Sequence, residues 1–83
     1  RDAVGECYQL ALAEDPDAQG DVHVRFIVGP DGEVDAVEVF HSTLAHPASE
    51  RCICDAMANW RFPRPRPRGR SVLLTYPYAL ATE

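Results

Sequence analysis

Lysine is absent from this chain: all eight basic residues are arginine, set against thirteen acidic ones for a net charge of −5. An acidic balance disfavours broad nucleic-acid binding, which needs a basic face to neutralise phosphates. Long hydrophobic runs are absent too. Apolar stretches such as Phe26-Ile27-Val28 and Val72-Leu73-Leu74 are only strand-sized, far short of the ~18 residues of a membrane span. No G-x-S-x-G turn, phosphate loop or dinucleotide fingerprint occurs, which removes the commonest signatures of hydrolases and nucleotide enzymes. Asp31-Gly32 lacks the further acidic ligands of a calcium loop.

What is present fits one small domain. The chain has 83 residues, 46% hydrophobic and 25% charged, a globular balance rather than a disordered one. A core of this size is thin, since about 60–65% of the unfolded surface is buried at this length. Charge is unevenly spread. Residues 1–60 carry Arg1, Arg25 and Arg51 against twelve acids, whereas residues 61–83 carry five arginines against Glu83. The chain starts at Arg1 rather than Met and is read as a domain excised from a longer protein.

Periodicity predicts an α-β-β-α-β order. Val4, Cys7, Tyr8 and Ala11 lie on one helical face, and Asp15-Pro16 ends that helix. Val22, Val24, Phe26 and Val28 alternate as in a half-buried strand. Gly29-Pro30-Asp31-Gly32 is a turn, and a second strand runs from Glu33 to about Ser42. Its apolar parity changes from Val34 to Val37 and Val39, which predicts a β-bulge near Asp35-Ala36. The second helix starts near Pro47, presents Ile53, Ala56, Met57 and Trp60 on one face, and ends at Phe62-Pro63. Trp60 is expected to be buried between this helix and the sheet. Ser71 to Tyr78 forms the last strand, with Val72, Leu74, Tyr76 and Tyr78 on one face, and Pro77 points to a sheet edge. A right-handed crossover through the second helix sets the last strand beside the first. The expected fold is therefore α+β: a three-stranded antiparallel sheet in order 2-1-3 with two helices on one face.

The chemistry-bearing side chains form no catalytic set. His41, His46, Cys52 and Cys54 do not match zinc spacing, and Cys52 and Cys54 point about 160° apart on a helix, so neither metal nor cofactor is expected. Ser42 beside His41 has no oxyanion loop, and no enzymatic activity is expected. On the helical wheel Cys7 lies within the first apolar face, Cys52 at the border of the second and Cys54 nearly opposite. A Cys7–Cys52 bridge and three reduced thiols both fit that arrangement. Arg64-Pro65-Arg66-Pro67-Arg68-Gly69-Arg70 favours extended polyproline-II geometry. It reads first as a solvated connector, second as a dock for an acidic surface through bidentate arginine contacts, and last as an SH3-like ligand.

Gly32-Glu33-Val34-Asp35-Ala36-Val37-Glu38-Val39, Ser42, Ala56 and Trp60-Arg61-Phe62-Pro63 together resemble the TonB C-terminal domain family, over nearly the whole chain. The Tyr76-Pro77-Tyr78 ending and the helix cysteines resemble its myxobacterial gliding-motility branch of the AgmX/PglI and GltJ type. The Arg-Pro tract is more basic and proline-rich than that family's pattern, and Cys54 has no counterpart in it. The resemblance implies a periplasmic, non-enzymatic module of an inner-membrane-anchored protein, with its anchor upstream. Such a module transduces force or energy across the envelope by binding a segment of an outer-membrane or periplasmic protein at the sheet edge. A domain that only self-associates, for example as a homodimer, or anchors is the alternative. The implied oxidising compartment favours the Cys7–Cys52 disulfide with Cys54 free. The expected partner-binding residues are Ser71, Val72, Leu73, Leu74, Thr75 and Tyr76 of the edge strand, with Arg64, Arg66 and Arg68 steering an acidic partner.

Overall fold

The computed structural model describes residues 2–82. Its elements follow the expected order: α1 Ala3–Glu14, β1 Gly20–Val28, β2 Val34–Ser42, α2 Pro47–Met57 and β3 Val72–Leu80. The sheet is antiparallel throughout, in the order β2-β1-β3.

Local chemistry sets the helix ends. Asp2 caps α1, its Oδ1 accepting from the Val4 amide at 3.1 Å. At the other end the Asp15 amide closes the last turn on the Ala11 carbonyl at 2.9 Å, directly before Pro16. Tyr8 then pins the following loop by donating its hydroxyl to the Ala18 carbonyl. His46 caps α2: its Nδ1 accepts from the Ser49 amide at 3.2 Å, while Glu50 Oε2 accepts from the His46 amide at 3.2 Å. This reciprocal arrangement satisfies two amides that a helix start would otherwise leave unpaired.

β1 is the central strand, and its alternation is decisive. Val22, Val24, Phe26 and Val28 are buried under the helices, joined by Val4 and Cys7 of α1 and by Ile53 and Met57 of α2. Fully burying each such aliphatic side chain contributes about 1.5–3 kcal/mol. A disulfide joins Cys7 to Cys52, with Cα atoms 5.5 Å apart. Beside it the Ser49 hydroxyl, wholly buried, donates to the Cys7 carbonyl at 2.8 Å. The two helices are thus linked by a covalent bond and a hydrogen bond one helical turn apart.

The expected bulge is present. Ile27 faces Ala36 and Val28 faces Val34, leaving Asp35 as the extra residue. A second irregularity was not expected: His23 faces His41 and Val24 faces Val39, so Phe40 is also extra. Phe40 stands on the face away from the helices, where the Arg25 guanidinium lies 4.7 Å from its ring centre and His23 meets its edge.

Three expectations about α2 need correction. The helix ends at Met57, a turn before Trp60, where the chain has already left helical geometry. Trp60 is half-buried rather than enclosed, packed against the margin of the core. Its place in the helical period arises because the chain after α2 turns back toward the sheet. The Trp60 amide bonds the Met57 carbonyl at 3.0 Å, and the Phe62 amide bonds the Gly32 carbonyl at 2.8 Å. Cys54 is likewise not on an open helix face. It is half-buried beside the Val39 backbone of β2.

Candidate partner-binding edge

The helix layer covers the sheet unevenly. Its buried residues sit over β1, and only part of β3 is sheltered. Val72, Leu74, Tyr76, Tyr78 and Leu80 share the helix-side face because they face Val28, Phe26, Val24, Val22 and Gly20. Nevertheless Leu74 is 41% exposed and Tyr76 53%, while Leu73 on the opposite face is 62% exposed. β3 is an edge strand, so half of its backbone groups have no partner in the sheet. Of the residues expected to bind, Ser71 to Tyr76 all lie on or next to this edge, and none is buried.

A groove runs along the exposed helix side of β3. Phe26, Met57, Trp60, Phe62, Tyr76 and Tyr78 line it, enclosing about 320 Å³. Phe62 stacks on Phe26 with ring centres 5.7 Å apart, and Trp60 lies 6.3 Å from Phe62. Tyr76 and Tyr78 meet edge to face at 4.7 Å, a favourable aromatic geometry. The Tyr78 hydroxyl reaches Met57 Sδ at 3.6 Å. Burial pushes the Tyr78 phenol pKa up, helped by Tyr76 and Asp2, so Tyr78 remains neutral at physiological pH.

The segment that builds one groove wall is held by Gly32. This residue has φ +91°, and a Cβ there would collide with the Phe62 carbonyl oxygen. The backbones of Glu33 and Arg61 form an isolated antiparallel β-bridge alongside. The Gly-x-Val turn and the Trp-Arg-Phe-Pro segment, far apart in sequence, are therefore one packed unit.

The Arg-Pro tract leaves the groove wall at Phe62 and returns to the sheet at Val72, but it bends and turns over residues 66–69, with Gly69 at φ +82°, instead of keeping the expected extended polyproline-II geometry throughout. Arg64, Arg66, Arg68 and Arg70 are all exposed. None forms an ion pair with another described residue; the ion pairs there are Arg25–Glu38 at 2.8 Å and His46–Glu14 at 3.1 Å. The cations next to the edge are thus available to an outside group.

Other clusters are structural. Ser49, His46 and Glu14 make a chain of contacts of the kind that activates a nucleophile, with Nδ1–Oγ 2.9 Å and Nε2–Oε2 3.1 Å. Ser49 is 0% exposed and its proton is directed to the Cys7 carbonyl, so no substrate atom can reach it. The sequence reading missed this serine, although its position two residues after Pro47 in a helix start was a usable signal. Burial raises the Cys54 thiol pKa, with Asp55, Glu50 and Glu38 adding to the effect against an opposing contact from the Val39 backbone. A raised pKa makes a poor nucleophile. Among the described residues, no three His, Cys, Asp or Glu side chains converge on a metal-sized site.

The geometry has a solved counterpart. The chain superposes on the solution structure of the Helicobacter pylori TonB C-terminal domain with a TM-score of 0.59 and 22% identity, covering 98% of this chain and 78% of that one. The fold is therefore that of a TonB C-terminal domain. No family profile and no curated protein matches the chain.

Proposed function

We propose that this domain is a non-enzymatic protein-binding module that accepts an extended segment of a partner as a fourth strand on β3. The observation that carries this reading is the open β3 edge, with Leu73, Leu74 and Tyr76 exposed on its two faces. Strand addition uses backbone hydrogen bonds for affinity and alternate side-chain pockets for specificity. The likeness to a TonB C-terminal domain supports placing the module in the periplasm. There it would serve an inner-membrane-anchored complex that transmits energy or force to outer-membrane or periplasmic partners. No helix among the described residues is long and apolar enough to cross a membrane, so such an anchor would lie outside them. The disulfide suits an oxidising compartment. The Tyr76-Pro77-Tyr78 ending and the helix cysteines favour a role in gliding motility over nutrient transport.

Pro77 sets the expected register. A strand proline is tolerated where the ladder needs no amide, which places the Leu73 and Thr75 amides on the open side with it. Leu73→Pro or Thr75→Pro should leave the melting temperature close to wild type and abolish binding of a partner segment, read by calorimetric titration with periplasmic extensions of outer-membrane receptors. Folded proline variants that bind as tightly as wild type would show that the edge is not used. If the native chain sediments as a concentration-dependent dimer and the two variants do not, the edge serves self-association instead.

A further inference from the structure

We infer that the segment accepted at β3 is acidic at one end and carries an aromatic side chain that seats in the Trp60–Phe62–Tyr76–Tyr78 groove. The inference rests on strand addition at β3 and specifies the chemistry of the added strand. Two separate features lead to it.

The first is the shape and lining of the groove. On the helix side of β3 the layer that should cover the sheet stops short, leaving Tyr76 53% and Leu74 41% exposed beside an apolar floor of Phe26 and Met57. A fourth strand would place every second side chain on this same face. A directly opposed side chain lies about 5 Å away and a diagonal one about 7–8 Å, within reach of an aromatic ring but not of alanine or serine. The lining is itself aromatic and offers both ring faces and edges. A partner ring there completes a cluster that the fold leaves open on one side.

The second is charge. The body of the domain is acidic, and its positive charge is concentrated in residues 61–70. That stretch begins at the groove wall and ends where β3 starts. Arg64, Arg66, Arg68 and Arg70 have no carboxylate partner among the described residues. An acidic segment would be repelled by most of the molecule and drawn to the Val72 end of β3, which fixes its orientation as well as its position. Pro65 and Pro67 fix φ within the tract, so less conformational freedom is lost when the arginines engage. Guanidinium groups on such a support favour bidentate carboxylate contacts. A basic or neutral segment would gain nothing from these four cations.

The test uses the chain's one tryptophan, Trp60, as a reporter inside the groove. A random ten-residue peptide display library is selected on the immobilised 83-residue chain. Enriched peptides are then synthesised and titrated by Trp60 emission and by amide chemical shifts. The expected peptides carry Asp or Glu toward one end and one Phe, Tyr or Trp, and they shift Trp60 emission on binding. Replacing that aromatic with Ala should weaken binding about threefold to tenfold, as should Tyr76→Ser, which removes an exposed wall without opening the core. Changing Arg64, Arg66 and Arg68 together to Gln should flatten the dependence of affinity on salt. Absence of enrichment, enrichment of neutral or basic peptides, or binding that leaves Trp60 emission unchanged would overturn the inference. If the Leu73 and Thr75 amides respond while Trp60 does not, the groove assignment falls and strand addition stands. If Trp60 responds and those amides do not, strand addition falls and the groove alone is the site.

Discussion

Gly32 shows how one residue can position the wall of a groove that it does not itself line. Its φ of +91° lies where L side chains are rarely found, and the Phe62 carbonyl occupies the space a Cβ would need. The Phe62 amide in turn bonds the Gly32 carbonyl at 2.8 Å. Without that close approach Phe62 could not stack on Phe26 and Trp60 could not close the groove. Gly32→Ala should therefore cost about 2 kcal/mol or more, combining backbone strain with the displaced segment. Chemical denaturation would show a lower midpoint, and Trp60 emission in the folded baseline would move toward that of exposed indole. An unchanged folded baseline would mean that the segment is held by its other contacts. Trp60 itself is better placed for this reporting role than for core anchoring, because its half-burial leaves one side of the ring facing the groove.

At the level of elements, the sequence was informative where a periodic signal met a sharp boundary. The alternation of β1, the Gly-Pro-Asp-Gly turn and the Pro47 helix start each carry their own local cause, and all are present. The Asp35 bulge was legible because valines flank it on both sides and record the change of parity. The Phe40 bulge was not, because His41 and Ser42 beyond it are polar and leave no apolar trace of the register. The end of α2 was misplaced for a related reason: Trp60 keeps the helical period by returning to the sheet through a turn. The edge position of β3 followed from topology and Pro77. Its exposed helix-side face did not, because alternation shows which residues share a face but not how far a helix layer extends across it.

The α1–α2 pair carries the clearest energetic prediction at this scale. The Cys7–Cys52 bridge spans 45 positions, and a loop of that length removes denatured-state entropy worth roughly 3–4 kcal/mol. For a domain with a thin core this is a large share of the ~5–15 kcal/mol typical of total stability. Changing Cys7 and Cys52 together to Ser should lower the denaturation free energy by about that amount. Alkylation without reductant should modify Cys54 alone in denatured native chain. Modification of all three cysteines in protein from an oxidising compartment would remove the disulfide from this account.

At the scale of the whole molecule, the sheet has two free edges and the chain treats them differently. β2 is interrupted twice by extra residues, Asp35 and Phe40, and carries Glu38 between them. Bulges and charges both discourage another strand from pairing. β3 pairs with β1 without any register shift from Gly20–Leu80 to Val28–Val72, and its guard against unwanted pairing is Pro77. A straight, unpaired edge is open to a second copy of itself, and a proline there limits how far an incoming strand can extend. Pro77 is exposed on the face away from the helices and faces His23 across the ladder. Pro77→Val supplies an amide and a strand-favouring side chain while leaving the buried face untouched. The variant should melt at or slightly above the wild-type temperature yet sediment as larger species at high concentration, where the native chain sediments less. Unchanged sedimentation would show that Pro77 does not restrain the edge, leaving repulsion between acidic bodies as the remaining brake on pairing there.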